Sequence, residues 1–495
     1  MLKHIIKQDW RTLAAERTVF VVTLLLALGF GYALYNGVAF ARARREAVTA
    51  KLSENAKRHD SHRADALRYE RELNQPVKDP AKPPRMLFGS MPWLFAGSLG
   101  LDAVQPAAPL AALSVGQADL YLPYTKISIF RGRHELFNEA ENENPLSLLD
   151  GRFDLAFVIV YLLPLVIIAL SYSLLSAERE QGTLALVLSQ PLTLSRFALG
   201  KLLLRGSLVI VPLLVFNVIG AQWSAGGFGG GVWWRLLLWC AVVTGYGLFW
   251  LLAALAVNAL GRGSATNALW LAAIWLAVVL VIPSLVNLAA VSLYPMPARI
   301  EQVQAVREAV NEIEQTEEAT RLVNFYRARP AFLPAGRTPE TALDGATPQF
   351  VKTAAPSTLT AEEVARRVAP MLARFDEQSR RQQRFADAAR FLSPAMLTQF
   401  ALNDLAGSGA ARHESFRAQV EQYAAAHRIF FAPKVLRQER MMAADYDLYP
   451  RYQWREEPAS TVARRVLIGV TGLLIPALLL GWLGLYALRR FSLAG

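Results

Sequence analysis

Residues 156–221 read AFVIVYLLPLVIIALSYSLLS, then AEREQGTLALVLSQPLTLSRFALGK, then LLLRGSLVIVPLLVFNVIGA. Two apolar runs, Ala156–Ser176 and Leu202–Ala221, enclose a polar-apolar segment, Ala177–Lys201. Crossing roughly 30 Å of hydrocarbon takes about 20 residues at 1.5 Å each, so each run predicts a transmembrane helix. Four further runs have the same character: Thr18–Phe40, Trp234–Asn258, Ala268–Leu293 and Val466–Leu488. The predicted fold is a polytopic α-helical membrane protein. It has six transmembrane helices and a mostly α-helical extracytoplasmic domain.

The composition agrees. Of 495 residues, 53% are hydrophobic and only 19% charged, against about a quarter charged in a soluble protein. That excludes a wholly soluble enzyme and a disordered chain, and leaves a third to half of the chain for the bilayer. The single cysteine, Cys240, excludes an internal disulfide, a zinc ribbon and CxxC redox chemistry. The first apolar run is longer than a signal-peptide core, and no small-residue cleavage site precedes the basic stretch Arg42–Arg45, so it reads as a retained span.

The spans divide the chain into 1–17, 18–40, a polar segment 41–155, 156–176, 177–201, three spans within 202–293, a second polar segment 294–465, 466–488 and a tail 489–495. The termini and short loops on their side hold eleven basic residues, among them Lys3, Lys7, Arg11, Arg179, Lys201, Arg205 and Arg262, against four acids, Asp9, Glu16, Glu178 and Glu180. Segment 41–152 is nearly balanced, with 16 basic and 14 acidic residues, and so is 294–461, with 22 and 21. Lys/Arg excess in short loops marks the cytoplasmic side, and long segments translocate whatever their charge. Both termini are therefore expected in the cytoplasm and both long segments outside it. The net charge of +12 is then a topology signal rather than a nucleic-acid footprint, and no nucleic-acid partner is expected.

Residues 1–17 place Leu2, Ile5, Ile6, Trp10 and Leu13 at helical spacing opposite Lys3, Lys7 and Arg11, which predicts an amphipathic helix in the membrane interface. Ala41 to about Leu73 reads as a charged helix, followed by Pro-rich irregular chain. In the second long segment, Ile300, Val303, Val306, Val310 and Ile313 form one apolar face, and Val364, Val368, Met371, Leu372 and Phe375 another. A Pro/Thr-rich loop, Pro330–Pro356, separates them. Tyr446, Tyr449, Tyr452 and Trp454 suit either an interfacial aromatic belt or core packing.

Ala177–Lys201 carries the most information. Gly182-Thr183 is expected to open a short helix whose Leu184, Leu186, Val187 and Leu188 are apolar knobs. Ser189-Gln190-Pro191 ends it, and Ser195 is placed to cap the next helix. Apolar knobs on a short helix in water suit a groove on a partner. The pattern Glu178, Glu180, Gly182, Thr183, Leu184, Leu188, Ser189, Pro191, Ser195, Arg196, Gly200, Lys201 resembles the coupling segment of ABC-2 type transporter permeases. Its length and position between spans two and three agree.

The resemblance implies a bacterial inner-membrane permease. It would pair with a second, identical or paralogous permease and with two ATPase subunits that dock on Glu178, Glu180, Gly182, Thr183, Leu184, Leu188 and Pro191. The long outer segments depart from simple exporters and are similar to a subgroup with inserted extracytoplasmic domains. Phe391–Pro394, Ala401–Ser408, Arg412-His413 and Phe416 carry that likeness.

No GxxxxGK[ST] phosphate cradle occurs. Gly200-Lys201 has Ser195 where the first glycine belongs and Leu202 after the lysine. The chain itself is expected to hold no cofactor and to be no enzyme, with ATP and Mg²⁺ on the partner subunits. His59 and His62 share a helix face, read as a solvated surface or as two ligands of an incomplete metal site. Arg412-His413-Glu414 reads as a surface or capping group in preference to acid–base machinery. Asn217, Asn258, Asn267 and Asn287, in or beside the spans, either line a path or join helices. The rival class is a membrane-anchored extracytoplasmic enzyme or sensor without an ATPase partner.

Overall fold

The computed structural model describes residues 2–15, 18–75, 87–98, 100–136, 153–184, 186, 189, 193–225, 231–342 and 349–490. It is 77% helical. In chain order the main elements are α1 (Leu2–Ala15), α2 (Thr18–Leu73), strands β1 (Asp102–Val104) and β2 (Tyr124–Lys126), α3 (Leu155–Glu180), α4 (Leu194–Ala225), α5 (Val232–Asn258), α6 (Ser264–Leu293), α7 (Arg299–Glu314), α8 (Glu318–Ala328), α9 (Gln349–Ala389), α10 (Pro394–Ala406), α11 (Ala410–Leu436) and α12 (Ala459–Arg489). The helices α2, α3, α4, α5, α6 and α12 are long and apolar enough to cross a bilayer, and point to a multi-pass membrane protein. The strands form one antiparallel pair, with Ala103 opposite Thr125.

α5 is the hub of the bundle. Trp239, Tyr246 and Trp250 are its fully buried anchors, and α12, α3, α4 and α10 pack around it. Lining up apolar residues does not satisfy backbone groups in hydrocarbon, and two wide π-helical turns show how this bundle manages it. In α3, at Val158–Leu162, the Val160 carbonyl accepts from Tyr246 Oη (2.9 Å) and the Tyr161 carbonyl from Trp275 Nε1 (3.3 Å). In α6, at Leu276–Val281, the Val278 carbonyl accepts from Ser393 Oγ (2.6 Å).

That last bond places α10. Ser393 caps the helix, its Oγ accepting from Ala395 N (3.1 Å) and Met396 N (3.3 Å), while Pro394 supplies a first-turn residue that needs no donor. Leu397, Ala401, Leu402 and Leu405 then pack into the same core as the spans. α10 thus begins near the middle of α6 and runs back toward the large segments. The sequence reading assigned all of 294–465 to an extracytoplasmic domain. The structure instead puts residues 393–406 inside the bundle, because a 13-residue helix is too short to register as a span.

The first span and the charged helix after it are one unbroken helix, α2, about 84 Å long over 56 residues. In the second long segment, Ala309 and Ile313 of α7 pack on Val364, Val368 and Leu372 of α9, joining the two predicted faces. Ile300 and Val303 stay exposed. The loop expected to reach Pro356 is shorter: α9 starts at Gln349 and holds both Pro356 and Pro370 in its interior.

Of the two readings of the tyrosine cluster, packing is the observed one. Tyr446 and Tyr449 are buried with Phe95 and Phe431, and Tyr452 and Trp454 lie against Phe416. His427, 1% exposed, lies tilted against Phe431 in that core with Nε2 3.1 Å from the Ala96 carbonyl.

Burial pushes the His427 pKa from 6.5 down to about 4. The unfolded chain then takes up a proton that the folded chain refuses. Stability of this domain is full above about pH 6.5 and falls by about 3 kcal/mol as the pH drops toward 4. Thermal melting followed by tryptophan fluorescence should show that slope, and His427→Gln should reduce it without abolishing it, because burial depresses the His413 pKa in the same direction. An unchanged slope in the variant would contradict the assignment.

Candidate functional site

The chain crosses from α3 to α4 through the segment singled out in the sequence. α3 ends with a turn over Ser176–Glu180, where Gly182, at φ +71°, takes the left-handed cap position with Gly182 N to Arg179 O (3.1 Å) and Thr183 N to Glu178 O (2.9 Å). Gly182 therefore closes α3, and Leu184 and Leu186 beyond it are helical, in line with the short helix expected there. At the far end, Thr193 Oγ1 accepts from Arg196 N (3.4 Å), so the cap of α4 is Thr193 and not Ser195.

Glu178 and Glu180 do different work. Glu178 Oε1 pairs with Lys201 Nζ on α4, and that ammonium also donates to the Leu174 carbonyl (3.2 Å) and lies 3.7 Å from Asp9 Oδ1. One turn further on, Arg205 grips Asp9 through two bonds (3.1 and 2.9 Å) and donates to the Leu170 carbonyl (2.6 Å). Asp9, Lys201 and Arg205 are 4%, 4% and 6% exposed. Two cations on α4 thus meet two carboxylates, one from α1 and one from the end of α3, with almost no water. On α1 the packed face is Ile5, Asp9 and Leu13, and Trp10, expected on it, is 44% exposed.

Glu180 caps α6. Its Oε1 accepts from Ser264 N (2.6 Å) and its Oε2 from Ser264 Oγ (2.9 Å), placing a carboxylate at a helix N-terminus. Beside it, Ser176 Oγ meets Ser264 Oγ (2.8 Å) and Arg179 donates to the Gly261 carbonyl. Asn258, at the end of α5, donates to the Ser171 (3.0 Å) and Ala254 (2.9 Å) carbonyls and accepts from Leu175 N (3.3 Å) and Asn267 Nδ2 (3.3 Å). The middle of α1 and the ends of α3, α4, α5 and α6 are tied at this one place.

Leu184 belongs to this knot. It is 4% exposed and faces a small pocket lined with Leu175, Leu194, Asn258 and Arg262. As a knob for a partner it is replaced by Leu186, 71% exposed. Leu188 and Pro191 lie outside the described residues.

Of the asparagines, Asn258 and Asn267 join helices as above. Asn217 does so too, donating to the Leu213 carbonyl (2.7 Å) and accepting from Trp239 Nε1 (2.8 Å). Asn287 is exposed on α6, apart from them. His59 contacts the Tyr446 carbonyl and Arg451, and His62 lies against Phe95. Among the described residues, no group of three His, Cys, Asp or Glu is placed to hold a metal. Arg412 pairs with Glu456 and His413 stacks on Tyr121, so Arg412-His413-Glu414 forms no acid–base unit.

Sequence reasoning missed the roles of Asp9, Arg205 and Ser264. A signal existed: Lys201 and Arg205, four residues apart in an apolar run, demand buried counter-charges, and Asp9 is the acid within the apolar repeat of α1.

Residues 299–455 match the family described as a domain of unknown function, DUF3526, a match that covers less than half of the chain. It spans α7 to α11, including the inserted α10, and stops short of α12. No curated protein matches the chain.

Removing one partner of a buried pair leaves an uncompensated charge. Asp9→Asn should cost about 3–5 kcal/mol and lower the melting temperature in detergent. The double change with Arg205→Gln should cost less than the sum of the singles. Strict additivity would mean that the pair does not act as a unit.

Proposed function

We propose that this chain is the transmembrane permease subunit of an ATP-driven ABC-2 type transporter, with both termini and the 177–201 segment in the cytoplasm of a bacterial inner membrane. The observation that carries the reading is the mechanical connection of that segment. A short, partly exposed stretch presents Leu186 to water, while Glu178, Glu180 and Leu184 tie its base to α3, α4, α5 and α6. A rigid base with an apolar tip suits a docking element that receives force from a partner.

In this reading ATP and Mg²⁺ bind separate ATPase subunits, and a second permease, identical or paralogous, completes the assembly. Nucleotide-driven closure of the ATPases pushes on residues 177–193. α3, α4 and α6 carry the displacement, because their ends share one polar knot. Between export of a substrate and transmission of movement to the far side, we favour transmission. α2 runs unbroken from the bundle into the water-facing domain, a stiff lever, and three of the four asparagines are engaged in joining helices.

The test is Leu186→Asp. An exposed side chain leaves the fold alone, so the variant should purify with an unchanged elution and melting profile. Co-purified ATPase should fall about tenfold or more, as expected for charge placed in an apolar contact. A full complement of ATPase on the variant, or none on the wild type under conditions that keep other transporters intact, would sink the proposal. The second outcome would direct attention to the membrane-anchored enzyme or sensor alternative.

A further inference from the structure

α6 is the least covered of the six candidate spans. In its most apolar stretch 17% of residues are buried, against 28–67% in the others. The exposed face runs from Leu269 and Trp270 through Leu276, Leu285 and Leu288 to Leu293. Residues 263–298 carry no charged side chain. Acyl chains account for those leucines, but not for two other features of the same surface.

The first is polar. Ser284 and Asn287, one turn apart on α6, are both exposed. Counted from the middle of α6, they lie about 8 and 13 Å out, inside a hydrocarbon half-thickness of about 15 Å. Among the described residues neither side chain has a hydrogen-bond partner, whereas Asn217, Asn258 and Asn267 all do. An unpaired carboxamide facing hydrocarbon is costly, and polar side chains on spans bond across to neighbouring helices.

The second is apolar. Past the end of α6 the exposed hydrophobic surface continues into the region where water replaces lipid. Met296, Ile300 and Val303 are 42%, 60% and 44% exposed, with Glu301, Gln304 and Arg307 exposed beside them on α7. Packing on α9 uses the other side of α7, at Ala309 and Ile313.

Lipid leaves Asn287 unpaired, and water leaves Ile300 and Val303 uncovered. A membrane protein with its own water-facing part covers both. We propose that residues 284–303, the outer half of α6 and the start of α7, form the contact with a second copy of this chain, related by a two-fold axis along the membrane normal. Such an axis brings equal heights together, so Asn287 of one copy meets Asn287 of the other. A carboxamide carries both donor and acceptor, so two of them pair reciprocally. The absence of charge leaves nothing in the membrane to repel an identical face. The inference rests on the permease reading for its expectation of a second subunit, and chooses the identical partner over a paralogue.

The single native thiol makes the test direct. In a Cys240→Ala background, Ser284→Cys and Val291→Cys each place one cysteine on this face, and Leu478→Cys places one on α12, where Leu478 is 62% exposed. Oxidation with copper phenanthroline in native membranes should join two copies through position 284 or 291 and not through 478. Native mass spectrometry of the purified chain over a dilution series should show Asn287→Leu and Ile300→Glu each raising the dimer dissociation constant about fivefold or more. Both side chains are exposed, so neither variant disturbs the fold of the single chain. No adduct at 284 or 291, an adduct to a different chain, or an unchanged dissociation constant in either variant overturns the proposal. ATPase co-purification from the same membranes tests the permease reading separately. A cross-linked pair without ATPase supports this contact and removes that reading, while an ATPase beside a hetero-adduct does the reverse.

Discussion

Lys201 and Arg205 sit one turn apart on an apolar helix with almost no access to water, and the end of the bundle that carries residues 177–201 is organised by the need to neutralise them. A buried cation alone is expensive, so the fold brings Glu178 from the end of α3 and Asp9 from α1. Those two carboxylates determine where α1 lies and how α3 ends. The carbonyls of Leu170 and Leu174, in the last turns of α3, take the remaining donors. Because α3 closes against this cluster, Glu180 falls beside Ser264 and caps α6, and Asn258 locks the end of α5 to the same turn.

The other end of the bundle has a different logic. α10 enters between α5, α6 and α12 and is held by a serine that serves both as its own helix cap and as donor to a carbonyl released by a π turn. Its exit is pinned by Arg235, and Asp404 on its last turn pairs with Arg465 of α12. The water-facing domain therefore holds the membrane bundle through an inserted helix as well as through the continuous α2. Under the proposed function, displacement of the spans would have two stiff routes to that domain, which is the reason for preferring force transmission over export.

Much of this was legible in the sequence, and what was not has definite causes. Hydrophobic length gave the spans, since about 20 apolar residues admit few other fates. The 3.6-residue period gave the α7 and α9 faces that meet through Ile313 and Val368. Inserted helix α10 escaped because 13 residues fall below the span threshold while its partners are scattered over α5, α6 and α12. The Asp9–Arg205 pair links positions 196 residues apart, which no local pattern reports. Leu184 and Leu186 read as equivalent knobs, and only the packing against Leu175 and Leu194 separates the anchor from the tip. Pro356 read as a loop residue because proline disfavours helix interiors, yet α9 carries it.

The central claim is that residues 177–193 receive force from an ATP-binding partner through the apolar tip at Leu186. The most direct measurement is site-specific photo-crosslinking from position 186 in native membranes, with mass spectrometry of the adduct. The account predicts one dominant adduct, to an ATP-binding subunit, with a yield that changes when a non-hydrolysable ATP analogue is added. Adducts confined to lipid, or to a protein without a nucleotide site, would contradict it.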